Sequence, residues 1–393
     1  MNLRALLRIN EAITCEHVRP GHPDKVCDQI ADAIIDRALV LARDLDPKIT
    51  GYQYGSTSLR FGLEVIAKGN FIIITGESRL PPEIAYCLDI ESTTKSIWTE
   101  IGYPDADKLT VINYIKSQQP ELQASSDRLG AGDQGIMIGY ACNETESLMP
   151  REYVLAREIC QAISKLHASG SANWVMPDGK CQITVLPSGE VTSVVVGVQH
   201  TRSIDGVVED PELIQEFIRD EIINKVIQPI VPSSVNQAQI TVNGTGSFAI
   251  GGPAGDAGVL GRKIVVDAYG PRIPVGGGAF SGKDPTKVDR SGAYMARHIA
   301  RTAVLEEGAQ SAKVVLAYAI GNHRPEMIVG LTDSGTDITP WINRRFPDLS
   351  PPSIAERFDL WRKTPNAGWS YKDTASYGHF GRQEFPWEQV QAC

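Results

Sequence analysis

Between residues 246 and 290 the sequence sets Arg262, Lys263, Lys283, Lys287 and Arg290 into two glycine-rich loops. Glycine lacks a Cβ and tolerates φ > 0, so backbone in such loops can close on a ligand. Successive exposed N–H groups there form anion-binding concavities. Asp256, Asp284 and Asp289 stand among the cations, as expected where magnesium accompanies a polyphosphate. The stretch reads as a triphosphate site. Either loop alone reads rather as a tight turn with solvated lysines; two basic loops about 20 residues apart, each with an acidic residue, shift the reading toward phosphate. GGAFSGK (277–283) imitates the first seven positions of a P-loop, but Asp284 stands where Ser or Thr would ligate magnesium. An ordinary P-loop is a weak reading.

A second candidate is GHPDK at 21–25. Pro23 suits a first helical turn and Asp24 complements the helix dipole. Val26, Ile30, Ala33, Ile34, Leu41 and Leu45 follow, mostly at helical spacing. His22, Asp24 and Lys25 thus stand at a helix N-terminus, which favours an anion; taken alone, Asp24 reads as a cap. Residues 59–77 read as a hairpin turning at Lys68-Gly69-Asn70, with Glu64 inside the first strand and Glu77 ending the second. A carboxylate in an apolar strand must face solvent or a cation, and both alternatives stay open.

The elements that must position these groups follow from periodicity. Helices are expected over 82–101, 150–167, 211–226 and 291–308, with short ones over 341–346 and 352–358. Strands are expected over 109–115, 136–140, 183–186, 191–198, 239–242, 263–267, 313–319 and 326–331. Residues 117–132 form a polar loop of the length found in lids. PDGK (177–180) reads as a plain turn, and the aromatic end as a packed tail. Three successive strand–hairpin–helix segments suggest three similar α+β domains.

The chain's 393 residues allow two or three domains. A net charge of −9 argues against nucleic acid or a membrane surface as partner. No apolar run approaches the ~20 residues of a membrane span, and the N-terminus lacks the features of a signal peptide. Seven cysteines without C-x-x-C suit a reducing cytoplasm and offer no zinc site.

Together, GHPDK (21–25), GAGDQG (130–135), PDGK (177–180), GGPAGDAGVLGRK (251–263), GGGAFSGKD (276–284) and KVDRS (287–291) resemble the S-adenosylmethionine synthetase family, from about residue 13 to 387. The resemblance implies three α+β domains about a pseudo-threefold axis: 13–117, 133–246 and 247–390, with a lid at 118–132. It implies synthesis of S-adenosylmethionine from ATP and L-methionine, with two magnesium ions and potassium, in a homodimer, possibly a homotetramer, whose sites lie between subunits. By position, His22 resembles the histidine at the breaking C5′–O bond, and Asp24 and Asp289 the magnesium ligands. Lys180, Arg262, Lys263 and Lys283 resemble the triphosphate cations, and Glu64 the potassium ligand. Glu77, Gln118, Asp256 and Lys287 match residues around methionine, with Asp133 and Asp178 near the nucleoside or amino group. Phe248 matches the aromatic stacking on adenine, and Ala279 and Ile320 line the same pocket. Departures from the family pattern are Ser247, Val275, Glu121, a shortened lid, extra residues around 45–60 and the lead-in to GHPDK, where Glu16 is retained.

Overall fold

A computed structural model describes residues 12–45, 59–118, 130–204, 210–231, 239–364 and 367–389. Most of the lid, including Glu121, and most of the extra stretch lie outside the described residues. β1 (Ile13–Val18) runs through the GHPDK turn into a helix, Pro23–Leu45. β2 (Arg60–Lys68) and β3 (Phe71–Arg79) form the expected hairpin, paired from Arg60↔Arg79 to Lys68↔Phe71. Its turn places Gly69 at φ 60°, a conformation that favours glycine. β4 (Thr110–Ser117) pairs parallel to β3, and β5 (Gly135–Cys142) follows. The helix Arg151–Ala168 leads to β6 (Val175–Val185) and β7 (Val191–His200). The helix Pro211–Ile222 precedes β8 (Ile240–Val242) and the two-residue β9 (Gly258–Val259). Last come the helix Val288–Glu306, β10 (Ser311–Tyr318), β11 (Met327–Thr332) and the short helices Thr339–Arg345 and Pro351–Arg357.

Three sheets result, ordered β1-β6-β7-β8, β11-β10-β5 and β4-β3-β2-β9. Each recruits a strand from a distant part of the chain: β1 pairs with β6, β5 with β10 and β9 with β2. The glycine-rich loops are thereby stitched to the N-terminal hairpin. Helices pack on one face of each sheet, and the buried apolar residues fall into two clusters, one around the central hairpin and one shared by the rest. Among the described residues no helix is long and apolar enough to cross a membrane.

Four local expectations change. The strand expected over 263–267 is a single helical turn, Ile264–Asp267, closed by Asp267 N–H to the Lys263 carbonyl at 2.9 Å. Lys25 holds the Asp267 carboxylate at 2.5 Å, so a tertiary ion pair overrides the β-branched run. The helix expected over 82–101 breaks into Pro82–Cys87 and Ile90–Ile101, because Asp89 caps the second by accepting Ser92 N–H at 2.9 Å. PDGK lies inside β6 at a register shift between Val175 and Gly179 rather than in a turn; bulges accommodate both Pro and Gly in a strand. Beyond Ile222 the helix expected to 226 loosens to π geometry over Ile223–Ile227.

The aromatic end is core. Tyr371, Phe380, Phe385 and Trp387 are fully buried, and Trp387 stacks on Tyr294 of the helix Val288–Glu306 at 3.7 Å.

Candidate active site

The helix Pro23–Leu45 carries Asp24, Asp28, Asp32 and Asp36 at intervals of four, one above another on a single face. Each accepts backbone N–H groups from residues between 259 and 372. Asp24 takes Val259 at 2.9 Å, Asp28 takes Gly261 at 2.8 Å and Asp32 takes Gly282 at 2.9 Å. Asp36 takes Tyr371 at 3.0 Å and Lys372 at 2.8 Å. Buried carboxylates are tolerated only when hydrogen-bonded and paired. Here the partners are Lys263, Lys25, Arg290 and Arg362 in the same order. This ladder bolts both glycine-rich loops to the helix that begins at GHPDK. Of the four, only Asp24 was singled out from the sequence; for Asp28, Asp32 and Asp36 the D-x-x-x-D repeat was the available signal.

At the top of the ladder His22, Asp24 and Lys263 come together. Asp24 Oδ2 meets Lys263 Nζ at 2.6 Å. Burial pushes the Asp24 carboxyl up, but the Lys263 hydrogen bond, the Val259 N–H and the local positive charge outweigh it and hold it below the usual carboxylate range. His22 Nδ1 accepts the Asp24 N–H at 3.2 Å, so the neutral ring carries its proton on Nε2. Burial, then Lys263, keep that ring neutral, pushing its pKa down to about 4. Lys180, on β6 opposite Val18, adds its charge to the same place. Lys25 is buried below, between Asp267 and Asp28. It faces the ladder, and a ligand at the loops would meet Lys263 first.

The second loop lies along β2. Lys283 bridges to Gly62, and its Nζ sits 2.5 Å from Asp289 Oδ2. A Cβ on Gly278 would fall 2.0 Å from Asp289 Oδ1, so a side chain there would displace the Asp289 carboxylate. Glu64 lies near Lys283; burial raises its carboxyl pKa and Lys283 opposes the rise. Asp284 is an anchor: its carboxylate accepts Phe61 N–H at 2.7 Å, Thr286 N–H at 2.8 Å, Thr286 Oγ1 at 2.6 Å and Lys287 Nζ at 2.6 Å. Two readings therefore change. Asp284 is saturated by the protein, and Arg290 is wholly buried against Asp32, so neither belongs with the groups that face a phosphate.

The remaining candidates spread outward. Asp178 is buried; its oxygens accept Gly179 N–H at 2.6 Å and Gly252 N–H at 2.7 Å, tying the GGPAGD loop to β6. Asp256 is exposed and accepts Ala257 N–H at 2.8 Å, while Arg262 is an exposed cation beside Lys263. Phe248 is half-buried, its backbone N–H held by His200 Nε2 at 2.9 Å. Ala279 fills the space that Gly261 leaves open, which joins the two loops. Glu77 pairs with Gly62 across the hairpin. Gln118 is buried at the end of β4, its N–H on the Ser78 carbonyl at 3.1 Å. Asp133 is exposed; its neighbour Gly132 donates to Thr286 O at 3.1 Å, and Gly135 lies against Asp289. Ile320, exposed, stands next to Gly321, whose N–H meets Ala131 O at 2.8 Å. A separate cavity of about 280 Å³, lined by Tyr140, Glu144, Arg151 and Arg272, lies away from all of these groups.

Comparison with known proteins gives this geometry its family. Models of the S-adenosylmethionine synthetase N-terminal, central and C-terminal domains match residues 10–120, 128–248 and 250–389. The chain belongs to the S-adenosylmethionine synthetase family. The S-adenosylmethionine synthase of Prochlorococcus marinus (strain AS9601) is 38% identical over 411 residues, covering 96% of this chain and 95% of the relative. That of Synechococcus sp. (strain WH7803) is 37% identical over 415 residues, covering 96% and 94%. The Wolinella succinogenes enzyme is 38% identical over 400 residues, covering 96% and 95%. The family's α+β class agrees with the mixed sheets and helices seen here.

Proposed function

We infer that this chain makes S-adenosylmethionine from ATP, L-methionine and water, releasing phosphate and diphosphate. The observation that carries the reading is the convergence of His22, Lys180, Lys263 and Asp24 where the first glycine-rich loop meets GHPDK. A thioether sulfur has no proton to lose, so its attack on C5′ of ATP needs no general base. The triphosphate leaves with growing negative charge, and fixed donors aimed at that charge are the largest catalytic term. His22 Nε2–H is a neutral donor for the departing oxygen, while Lys180, Arg262, Lys263 and Lys283 neutralise the chain of phosphates. Phe248, Ala279 and Ile320 bound the adenine side, with Asp178 positioning the loop beneath it. Glu77, Gln118, Asp133, Asp256 and Lys287 surround the methionine. Hydrolysis of the triphosphate then uses the same cations. Phosphate and diphosphate should appear in equal amounts as methionine is consumed; unequal release would count against the two-step reaction.

Asp24 and Asp289 fit magnesium. Each is a hard oxygen donor beside a lysine, and magnesium is commonly held by one or two carboxylates plus substrate phosphates. Bound there, two ions would neutralise triphosphate oxygens. Glu64, an exposed carboxylate near Lys283, is the proposed potassium ligand. Asp24→Asn and Asp289→Asn should each raise the magnesium concentration needed for half-maximal activity. Glu64→Gln should lose potassium activation and keep its magnesium dependence. Titrations unchanged in all three variants would place the ions elsewhere.

A second copy of the chain completes the site in this reading. Ile66, Phe71, Ile73, Ile112 and Tyr114 form an exposed apolar face on β2, β3 and β4. Ile66 pairs with Ile73, and Ile73 with Ile112, so they share one side of the sheet. Contiguous apolar surface of this kind marks an interaction site. By strand alternation Glu64 and Glu77 lie on the same side, so a covering subunit would close over both. Ile73→Asp should give a monomer without synthetase activity; an active monomer would refute the shared site. The free thiols of Cys15, Cys27, Cys87, Cys142, Cys160 and Cys181 suit the reducing cytoplasm proposed as its location.

A further inference from the structure

We propose that Asp32 and Arg290 form a buried clamp that positions Lys283, acting on its backbone and not on substrate. The proposal rests on the reading of Lys283 as a triphosphate cation. Arg290 is fully buried, and its guanidinium is divided three ways. Nη2 donates to Asp32 Oδ2 at 2.5 Å, Nη1 to the Lys283 carbonyl at 2.8 Å and Nε to the Tyr294 hydroxyl at 3.2 Å. The guanidinium lies over the Tyr371 ring, 4.4 Å from its centroid. Asp32 uses its other oxygen to take Gly282 N–H at 2.9 Å.

From the opposite side, Leu63 on β2 donates its N–H to the Gly282 carbonyl at 2.8 Å. The peptide units before and after Lys283 are therefore both fixed, the first by β2 and the second by Arg290 together with a long Asp284 N–H bond of 3.4 Å to the Phe61 carbonyl. The turn leaves no slack: Gly282 has φ 81°, and a Cβ there would stand 2.6 Å from the Leu63 carbonyl oxygen. What remains free to move is the Lys283 side chain, whose Nζ reaches Asp289. Pinning a flexible lysine at its backbone restricts where its ammonium can go. That matters because a displacement of about 1 Å in a catalytic group can cost on the order of 10²-fold in rate.

The test uses Arg290→Lys in the full-length protein, alone and combined with Lys283→Ala. A lysine keeps the charge but lacks the planar fork that holds Asp32 and the Lys283 carbonyl together. In the parent background kcat for S-adenosylmethionine formation should fall about tenfold or more, with the KM for ATP moving less. In the Lys283→Ala background the same substitution should cause no further fall, because effects that act through one group are not additive. An equal fold loss in both backgrounds would show a merely structural role and overturn the clamp. Asp32→Asn is the second variant: Gly282 and Arg290 bond different oxygens of Asp32, so the carboxamide NH2 would face one of these donors, and the same non-additivity should appear. Failure of both variants to fold would make the pair a folding determinant and overturn the proposal. Near-normal kcat in Lys283→Ala alone would instead sink the catalytic reading of Lys283, and the clamp with it.

Discussion

His22→Ala lowers kcat by roughly 10²-fold or more, the scale of losing one donor aimed at developing negative charge. The KM for ATP moves less, since the lysines still bind the ground-state phosphates. The expectation follows from the Asp24 N–H on Nδ1, which leaves Nε2 as the donor, and from burial and then Lys263, which keep the ring neutral. The ring is partly exposed beside the loops, so its removal disturbs little packing. Steady-state kinetics with the variant's melting temperature beside it make the comparison. A folded variant with near-normal kcat would show that His22 is only part of a capping turn.

The second large effect is on stability. Glu388→Ala should cost about 3–5 kcal/mol, the range for breaking a buried ion pair by removing one partner. Arg297 and Glu388 are both fully buried and joined by two hydrogen bonds of 2.8 Å. Glu388 also accepts Gly381 N–H at 2.9 Å, closing the aromatic end onto the helix Val288–Glu306. Without it, the Arg297 charge stays buried beside carbonyls of Tyr140, Ser147 and Leu148 alone. Urea unfolding of parent and variant measures the difference; an unchanged midpoint would mean that the end of the chain is not part of the core.

What could be read from the sequence was what local pattern determines. The β2–β3 hairpin, the long helices and the basic glycine-rich loops announce themselves by periodicity, turn residues and charge. GHPDK was legible because helix-start chemistry and a titratable residue coincide there. The rest depends on partners far along the chain. Ile264, Val265 and Val266 look like a strand until Lys25 holds Asp267. Asp178 looks like a turn residue until its carboxylate takes up Gly252 N–H. Arg290 looks like one more cation in a basic loop until Asp32 buries it. Strand exchange among the three sheets is equally invisible locally, because β1, β5 and β9 carry no signal naming β6, β10 and β2. The aspartate ladder is the exception: its spacing of four along a helix with an apolar face was in plain view.

In the proposed reaction adenosine leaves its triphosphate and joins methionine at sulfur. Mass spectrometry of the adenosine-containing product from ATP, L-methionine, magnesium and potassium tests it most directly. S-adenosylmethionine should be the adenosine product, with neither ADP nor AMP accumulating. Release of ADP or AMP with methionine unaltered or phosphorylated would mean that the loops serve a kinase or ligase, and would contradict it.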